Sequence, residues 1–268
     1  MMRDQTKVLL LGKGILGSAI TAYFLSLGYR LTVMTDRYAP ETADFYFEKI
    51  KQIEADWVIN AVGRIPMRKA PLEELRFINV NLPLRLKELL KPGQKMIHMS
   101  SDAVFGGSKL SYAPEDPMDP IDDYGRSKRD AEACGEKDRC WVVRSSLIGV
   151  EEKTSAGLMG WYWSQKESAA GYVNHLWNGN TSLELAKVFD ELIQGEILNP
   201  GPILHVGYLP SLTKCHLLEL IQKISGRGPQ VIPTEAPLTL NRTLIPNIIR
   251  PSIEIQVKEF FKLYSSQK

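Results

Sequence analysis

Three residues in the middle of the chain have the types and spacing of a proton-transfer site. Tyr124 and Lys128 are four residues apart in D-Y-G-R-S-K, so a helix beginning near Asp123 would place them on one face. A lysine ammonium favours the phenolate and lowers the pKa of a neighbouring tyrosine from its usual value of about 10. Ser101, in S-S-D-A-V-F-G-G, follows a predicted strand and would hydrogen-bond a carbonyl or alcohol oxygen while Tyr124 moves the proton. To act as an oxidoreductase, these three residues need a hydride carrier.

A glycine-rich turn near the start of the chain predicts where that carrier binds. The apolar run Lys7–Leu11 is followed at once by G-K-G-I-L-G and then by a helical pattern. A strand before the glycines and a helix after them is the context in which a pyrophosphate closely approaches a helix N-terminus. The pattern predicts a dinucleotide site, with a plain structural turn as the alternative. The predicted contacts are Gly12, Gly14, Ile15, Leu16 and Gly17.

Two neighbouring side chains after the second predicted strand favour different cofactors. Asp36 lies roughly twenty positions beyond the glycines, where an acidic residue accepts hydrogen bonds from the adenosine ribose of NAD. Arg37 would instead pair with the extra phosphate of NADP, unless it is only a solvated loop charge. The sequence therefore predicts NAD or NADP and leaves the preference open.

Small residues follow the third predicted strand, D-W-V-I-N, where a cofactor would approach the backbone closely. An ordinary passage from strand to loop is the alternative interpretation. The cations that come next would either face a phosphate or be solvated in a loop, and a solvated loop is expected for most of them; they are Arg64, Arg68 and Lys69. The predicted cofactor contacts of this region and of the later strand end are Asn60, Ala61, Val62, Gly63 and Ser100.

Strand-like and helix-like segments alternate along the chain, which is typical of an α/β fold. Four or five such units predict a Rossmann-type doubly wound parallel sheet with a smaller C-terminal substrate-binding part. We expect residues 1–150 to form the NAD(P)-binding domain and residues 151–268 to be mainly substrate-binding, with a segment at about 180–208 returning to the first domain. A length of 268 residues with 44% hydrophobic side chains suffices for this core.

Two segments allow more than one interpretation. Residues 72–90 are predicted to be a helix pair or one broken helix. Residues 155–179 are rich in glycine and aromatic side chains, which would either cap a substrate pocket or form the core of the smaller part.

Composition and spacing argue against several classes of protein. A net charge of +2 without a basic face does not suggest a nucleic-acid binder. The three cysteines lack the spacing of a metal site and indicate a reducing compartment. No apolar run approaches the ~18 residues that span a membrane. We therefore expect a soluble cytoplasmic protein without a bound metal.

Five ordered blocks resemble an extended short-chain dehydrogenase/reductase, and most closely the dTDP-4-dehydrorhamnose reductase family. They are G-x-G-x-x-G, N-A-V-G, S-S-D-A-V-F-G-G, Y-G-R-S-K and V-V-R-S-S, and they cover residues 7 to 150. The resemblance implies that Ser101 is the hydroxyl residue of a catalytic triad and Tyr124 its general acid, while Lys128 lowers the tyrosine pKa and binds the nicotinamide ribose.

The same resemblance implies NAD(P)-dependent reduction of a keto group on a nucleotide-activated deoxysugar. The nucleotide sugar is then the expected small-molecule partner, and a homodimer is an open expectation. Candidate substrate contacts are Asp102, Val104, Phe105, Ser146 and Trp177.

Two positions depart from the family pattern close to the expected sugar. Ala103 replaces a tyrosine and Leu147 replaces a tryptophan, so a different substrate or a lost activity stays open. One alternative function is a nucleotide-sugar epimerase or dehydratase with tightly bound NAD. Another is a non-catalytic dinucleotide-binding regulatory subunit, although such a subunit would have no need of Ser101, Tyr124 and Lys128 together.

Overall fold

The computed structural model describes residues 2–65, 71–151 and 156–265, and its strands and helices alternate along the chain. The strands are β1 (Lys7–Leu11), β2 (Arg30–Met34), β3 (Trp57–Asn60), β4 (Lys95–Met99), β5 (Cys140–Arg144), β6 (Leu147–Ile148), β7 (Ser168–Tyr172), β8 (His175–Trp177), β9 (Asn180–Thr181), β10 (Ile203–Gly207), β11 (Leu212–Thr213), β12 (Gln230–Thr234), β13 (Leu240–Asn241) and β14 (Ile248–Ile249). The α-helices are α1 (Ile15–Ser26), α2 (Ala43–Gln52), α3 (Leu72–Arg76), α4 (Leu82–Leu89), α5 (Asp123–Ala131), α6 (Gly157–Ser164), α7 (Ser182–Gln194), α8 (Lys214–Ser225) and α9 (Ile253–Ser265).

Seven parallel strands form the main sheet, in the order β14-β10-β5-β4-β3-β1-β2. β1 lies between β2 and β3, so the direction of winding reverses beside it. In open parallel sheets, ligands bind beyond the carboxyl ends of the strands at this switch point. The predicted doubly wound α/β fold is confirmed, and it directs attention to the ends of β1 and β3.

The apolar strand sequences follow from burial on both faces of the sheet. Alternate side chains of β1 point to opposite faces, because the side-chain period of a strand is two residues. Val8 and Leu10 join a core that also contains residues of α1 and α7, whereas Leu9 and Leu11 join a core with residues of α2 and α4. Runs without polar alternation are therefore what a sheet covered on both sides requires.

The C-terminal part contributes to the main sheet and also builds its own core. β10 pairs with β5, and α7 packs against α1 on one face of the sheet. A separate core combines buried side chains of α6, α8 and α9, represented by Tyr162, Leu217 and Val257. Trp177 of β8 belongs to this core as well. Within the described residues, no helix has the length and apolar character to cross a membrane.

The segment predicted as a helix pair or a broken helix is continuous, with a π-helical turn at Phe77–Asn81 between α3 and α4. Pro83 lies in the first turn of α4 and has no N–H to donate to the carbonyl of Asn79. The wider turn accommodates that missing bond without ending the helix. It also places Asn79 in the interior, where it is 1% exposed.

Candidate active site

A single cavity of about 870 Å³ runs along the carboxyl ends of the strands β1 to β5. Its volume lies toward the upper end of the roughly 300–1,000 Å³ of small-molecule sites. Many of the predicted site residues line it; these are Gly12, Gly14, Ile15, Leu16, Asp36, Arg37, Ala61, Val62, Gly63, Ser100, Ser101, Asp102, Tyr124, Lys128 and Ser146. The structure thus brings the glycine turn and the proton-transfer residues to one space.

The glycine turn between β1 and α1 has a shape that larger residues would destroy. Gly12 has a φ of +91°, in the left-handed region that favours glycine. A Cβ at Gly17 would lie 2.1 Å from the carbonyl oxygen of Gly12, so the helix packs directly on the turn. Gly14 caps α1 without a side-chain hydrogen bond. The first N–H groups of α1 therefore have no side-chain cap, and this end of the cavity fits the pyrophosphate of a dinucleotide.

Asp36 and Arg37 both line the cavity, but their partners differ. The carboxylate of Asp36 accepts two hydrogen bonds from the Lys49 ammonium, at 2.8 and 2.9 Å, and these lower its pKa. Arg37 is 74% exposed and has one long contact with Glu74, at 3.4 Å. Lys49 offsets the negative charge of Asp36, and the guanidinium of Arg37 has free N–H groups for an additional phosphate.

Asn60 is the one residue of the predicted N-A-V-G contacts that does not line the cavity. It is fully buried, and its amide oxygen accepts a hydrogen bond from the Val62 N–H at 3.1 Å. Its amide nitrogen contacts His98 Nδ1 at 3.2 Å. Asn60 therefore stabilises the turn after β3 from within the core, and its side chain is not accessible to a cofactor.

The turn after β3 is fastened to α5 by Asn79. Its amide oxygen accepts from the Arg64 N–H at 2.7 Å, while its amide nitrogen donates to the Arg64 carbonyl and to Ser127 Oγ at 3.1 and 3.0 Å. The Arg64 guanidinium pairs with Glu74 and is only 23% exposed, so Arg64 is not a solvated loop charge. Two further cations predicted here, Arg68 and Lys69, lie outside the described residues.

The helix α5 begins at Asp123, as the spacing of Tyr124 and Lys128 predicts. Asp122 caps it by accepting the Gly125 N–H at 2.7 Å. Tyr124 and Lys128 then lie one turn apart and both line the cavity. The Lys128 ammonium donates to the Met99 carbonyl at the end of β4, at 2.9 Å. A Cβ at Gly63 would lie 3.3 Å from Lys128 Nζ, so the glycine gives this ammonium its space.

Ser101 follows β4 directly, and its local turn fixes its hydroxyl. Ser101 Oγ accepts the Ala103 N–H and donates to Asp102 Oδ1, both at 3.1 Å. Burial raises the pKa of Asp102 above its ordinary value. Ser101 and Asp102 both act on the pKa of Tyr124, so the hydroxyl, the phenol and the carboxyl lie in one cluster.

The protonation states of Tyr124 and Lys128 differ from the sequence-based expectation. Burial raises the pKa of Tyr124 to about 12, and the hydrogen bond with Ser101 offsets only part of this effect. Burial also lowers the pKa of Lys128 to about 8, although the nearby Glu132 carboxylate favours its charged form. The predicted lowering of the Tyr124 pKa by Lys128 is not seen: Ser101 and Arg242 are the groups that lower this pKa, and the loss of hydration outweighs both. At neutral pH the phenol is protonated and fit to act as an acid.

A buried ion pair lies beneath this site. Glu132, 3% exposed at its side chain, accepts hydrogen bonds from Nε and Nη2 of Arg144, and the closest contact is 2.6 Å. Ser100 Oγ also donates to Glu132, at 2.5 Å. The hydroxyl of Ser100 is thus engaged below the cavity. Arg144 Nη1 donates to the Pro114 carbonyl, which holds the loop before α5.

Three predicted substrate contacts lie in the core. Val104 and Phe105 are fully buried, and both pack in a cluster with Tyr112 and Leu244. Trp177 is 2% exposed and packs against Tyr208. Their side chains do not line the cavity, so the structure does not support these three as ligand contacts. Val104 and Phe105 were candidates as members of the S-S-D-A-V-F-G-G block and Trp177 as a member of the aromatic segment, and their apolar side chains suit them to the interior.

Two other cavity residues had no signal in the sequence. Lys214 begins α8 and Arg242 follows β13, and both line the cavity beside Asp102. Trp161 did have one: it belongs to the aromatic segment for which a pocket was one of two interpretations, and it lines the cavity from α6. Lys214 and Arg242 lie far along the chain from Tyr124 and belong to no motif, so only the fold brings them to the site.

These features place the protein among the extended short-chain dehydrogenases/reductases, whose Rossmann sheet carries a dinucleotide turn and a Tyr-x-x-x-Lys helix at one cavity. Within that class, the chain belongs to the family described as RmlD substrate binding domain, which it matches over residues 6–196. The resemblance drawn from the five sequence blocks is therefore confirmed.

Several known proteins are similar to this chain in sequence or in structure. A probable dTDP-4,6-dihydroxy-2-methyloxan-3-one 4-ketoreductase of Streptomyces antibioticus is 34% identical over 80 residues, which span 28% of this chain and 27% of the relative. The dTDP-4-dehydrorhamnose reductase of Bacillus anthracis, in complex with NADP, superposes with a TM-score of 0.80 at 17% identity over 96% of this chain and 99% of that chain. The ADP-L-glycero-D-manno-heptose-6-epimerase of Helicobacter pylori gives 0.77 at 13% identity over 98% of each chain. At these identities the two structures show the shared fold.

Proposed function

We propose that the protein is an NAD(P)H-dependent reductase acting on a keto group of a nucleotide-activated deoxysugar. The observation that carries this proposal is the shared cavity, which joins the glycine turn to Ser101, Tyr124 and Lys128. Membership of the RmlD family and the names of two relatives, a 4-ketoreductase and a dehydrorhamnose reductase, support the same reaction class.

The residues present fit a nicotinamide dinucleotide. The N-terminus of α1 would hold the pyrophosphate, and Ala61, Val62 and Gly63 would line its path. The Lys128 ammonium lies where the strand β4 ends, next to the turn that contains Gly63. The bound nicotinamide supplies the hydride that reduces the carbonyl carbon.

The protein residues handle the proton and hold the oxygen. Tyr124 donates its phenolic proton to the carbonyl oxygen, which the hydroxyl of Ser101 positions. The Arg242 guanidinium is the cation that favours the resulting phenolate, since it lowers the pKa of Tyr124. Because burial alone disfavours the phenolate, this cationic neighbour and the Ser101 hydroxyl have to compensate once the proton has left.

The decisive test compares Tyr124→Phe with the wild-type protein. Oxidation of NADPH by a dTDP-4-keto-6-deoxysugar is followed at 1 mM substrate, about the upper end of ordinary KM values. The variant should lose about a hundredfold or more in kcat, the usual contribution of a general acid, while the Kd for NADPH stays within about twofold. Tyr172→Phe is the matched control, because Tyr172 lies on β7 and is 37% exposed. Unchanged turnover in Tyr124→Phe would remove Tyr124 from the mechanism.

The same assay separates the alternative functions. An epimerase or dehydratase returns the hydride to the sugar and gives no net NADPH oxidation, and a regulatory subunit binds the cofactor without turnover. Ala103 and Leu147 both line the cavity where the family pattern has tyrosine and tryptophan. The space they leave is a reason to include bulkier keto-sugars in the substrate screen.

We also propose a cytoplasmic location and a homodimer. Cys134, Cys140 and Cys215 are free, buried thiols, which supports a reducing compartment. The homodimer stays a prediction, and light scattering coupled to size-exclusion chromatography tests it directly.

A further inference from the structure

A buried carboxylate that the proposed reaction does not use lies one helical turn beyond Lys128. Tyr124 and Lys128 belong to α5, and Glu132 continues this helix with right-handed backbone geometry. The three residues are each four positions apart, which places their side chains along one face. Lys128 and Glu132 are 5% and 7% exposed. The helix face that carries the proton-transfer residues therefore continues into the interior as far as a carboxylate.

Glu132 is fixed by groups at the ends of two strands. Its Oε1 accepts from Ser100 Oγ, directly after β4, at 2.5 Å. Both of its oxygens accept from Arg144, the last residue of β5, and the closest contact is 2.6 Å. A guanidinium that donates to both oxygens holds a carboxylate in its charged form. Glu132 therefore presents a fixed negative charge that solvent does not screen.

The Lys128 ammonium depends on a nearby negative charge, because its surroundings otherwise disfavour protonation. Burial lowers its pKa to about 8, and Glu132 is the carboxylate that raises it. The ammonium donates to the Met99 carbonyl at 2.9 Å, and its remaining donors lie at the cavity beside Gly63. Loss of the proton would remove the charge and one of these donors. A neutral Lys128 would therefore bind a cofactor ribose less well.

The other titratable groups around Lys128 do not replace Glu132. Burial and the charge of Lys128 lower the pKa of His98 on β4 well below its usual value, so this imidazole is neutral. A hydrogen bond with Cys140 and burial raise the pKa of Cys134, which stays a thiol at neutral pH. The remaining charged groups of the neighbouring elements have partners of their own; they are Arg76, Asp102, Asp130 and Arg144.

We propose that Glu132 is a positioning residue of the reductase, which holds the Lys128 ammonium charged and in place beside the cofactor. The inference rests on the proposed function and adds the group on which the charge of Lys128 depends. Arg144 and Ser100 act through Glu132, because they fix its carboxylate. Ser100 is also the residue before Ser101, so Glu132 joins the strand end that carries Ser101 to the helix that carries Lys128.

The first measurement is a ¹³C NMR titration of the lysine Cε atoms in the protein without added cofactor, with Lys128→Met to assign the Lys128 signal. The wild-type signal should report a pKa of about 8. Glu132→Gln should lower this midpoint by about one pH unit or more, because it removes an opposite charge close to the ammonium. Glu132→Asp keeps the charge and should titrate within about 0.5 unit of the wild type.

The matched control is Asp130→Asn, on the same helix. Asp130 lies two residues before Glu132, on the opposite face, and pairs with Arg129 and Arg76. Its side chain is 27% exposed, so water screens its charge. Asp130→Asn should therefore change the Lys128 midpoint by less than about 0.3 unit.

The second measurement is the pH profile of kcat/KM for NADPH, which reports the ionisation of essential groups in the free enzyme. With a midpoint one pH unit lower, Glu132→Gln should lose about fivefold against the wild type at pH 8 and less than about twofold at pH 6. A purely structural defect would lower both values equally. That result overturns the proposal, as does a wild-type NMR midpoint in Glu132→Gln or a midpoint in Glu132→Asp as low as that of Glu132→Gln.

A double variant covers the case in which Glu132→Gln does not fold. Glu132→Gln combined with Arg144→Met no longer buries an unpaired guanidinium, so it should be the more stable of the two. Its Lys128 signal should still titrate about one pH unit below that of the wild type. A wild-type midpoint in the double variant overturns the proposal.

The positioning role and the proposed function fail in different ways. A Lys128 midpoint that depends on Glu132, without NADPH oxidation by any keto-sugar nucleotide, would keep the positioning role of the carboxylate and reject the reductase. Reduction of a keto-sugar nucleotide with the same pH profile in Glu132→Gln and the wild type would keep the reductase and reject the role of Glu132.

Discussion

Replacing Glu132 with glutamine should destabilise the protein by about 3–5 kcal/mol, the cost of breaking one side of a buried ion pair. The side chains of Glu132 and Arg144 are 3% and 4% exposed, so water cannot take over the lost charge interaction. The glutamine keeps one acceptor for Ser100 or Arg144 but leaves the guanidinium without a counter-charge. Urea unfolding followed by tryptophan fluorescence measures the change as a shift in midpoint at an unchanged slope.

A matched control and a double variant test whether the loss of stability comes from the unpaired buried charge. Glu254→Gln removes an exposed partner of Lys258 on α9 and should change stability by less than about 0.5 kcal/mol. Replacing both partners, as Glu132→Gln with Arg144→Met, should recover part of the loss, because it no longer buries an unpaired charge. A loss below about 1 kcal/mol in Glu132→Gln alone would show that the Pro114 carbonyl and other acceptors suffice for Arg144, and would refute the reasoning.

Three further perturbations follow from the cavity. Because burial lowers the pKa of Lys128 from 10.5 to about 8, the unfolded chain binds more protons between these values. The free energy of unfolding should therefore rise with pH between about 8 and 10.5, and activity should fall above about pH 8. Lys128→Met should be inactive, yet about 2 kcal/mol more stable than the wild type at pH 7. A less stable variant would contradict this reasoning. Gly17→Ala places a Cβ 2.1 Å from the Gly12 carbonyl oxygen, so it should lower the free energy of unfolding by about 1–3 kcal/mol and abolish NADPH binding. Gly201→Ala is the control and should do neither, because a Cβ at Gly201 meets open space. Retained NADPH binding in Gly17→Ala would contradict the packing argument. In parallel fluorescence titrations, Arg37→Gln should weaken NADPH binding about tenfold and leave NADH binding unchanged. Equal effects on the two cofactors would show that Arg37 does not bind the extra phosphate of NADPH.

The fold could be predicted from the sequence because its signals are local and repeated. Apolar strands such as Lys7–Leu11 and Lys95–Met99 are followed directly by a small or polar residue, and a helical pattern comes later along the chain. The helix start at Asp123 follows from capping chemistry and from the spacing of Tyr124 and Lys128. These features belong to short segments, so they can be recognised without knowledge of the tertiary structure.

Properties that depend on burial could not be predicted in the same way. Val104 and Phe105 lie in the same block as Ser101, yet the first residues of that turn line the cavity while these two lie in the core, and the sequence does not show where the change occurs. The pKa of Tyr124 depends on how much water the folded protein removes, which spacing alone does not give. Lys214 and Arg242 meet only because α8 and the chain after β13 fold back onto the end of the sheet.

The π-helical turn at Phe77–Asn81 constrains the number of residues in this helix as well as their types. A helix rotates by about 100° per residue, so deleting one residue within the turn would rotate the side chains before it relative to those after it and place them on a different face of the helix. Asn79 would then leave Arg64 and Ser127, and the loop after β3 would lose its attachment to the helix that carries Tyr124. Point substitutions on the exposed face of α3 should be tolerated, whereas insertions and deletions of a single residue should not. Sequence comparisons across the family should therefore treat the length of this segment as part of the site.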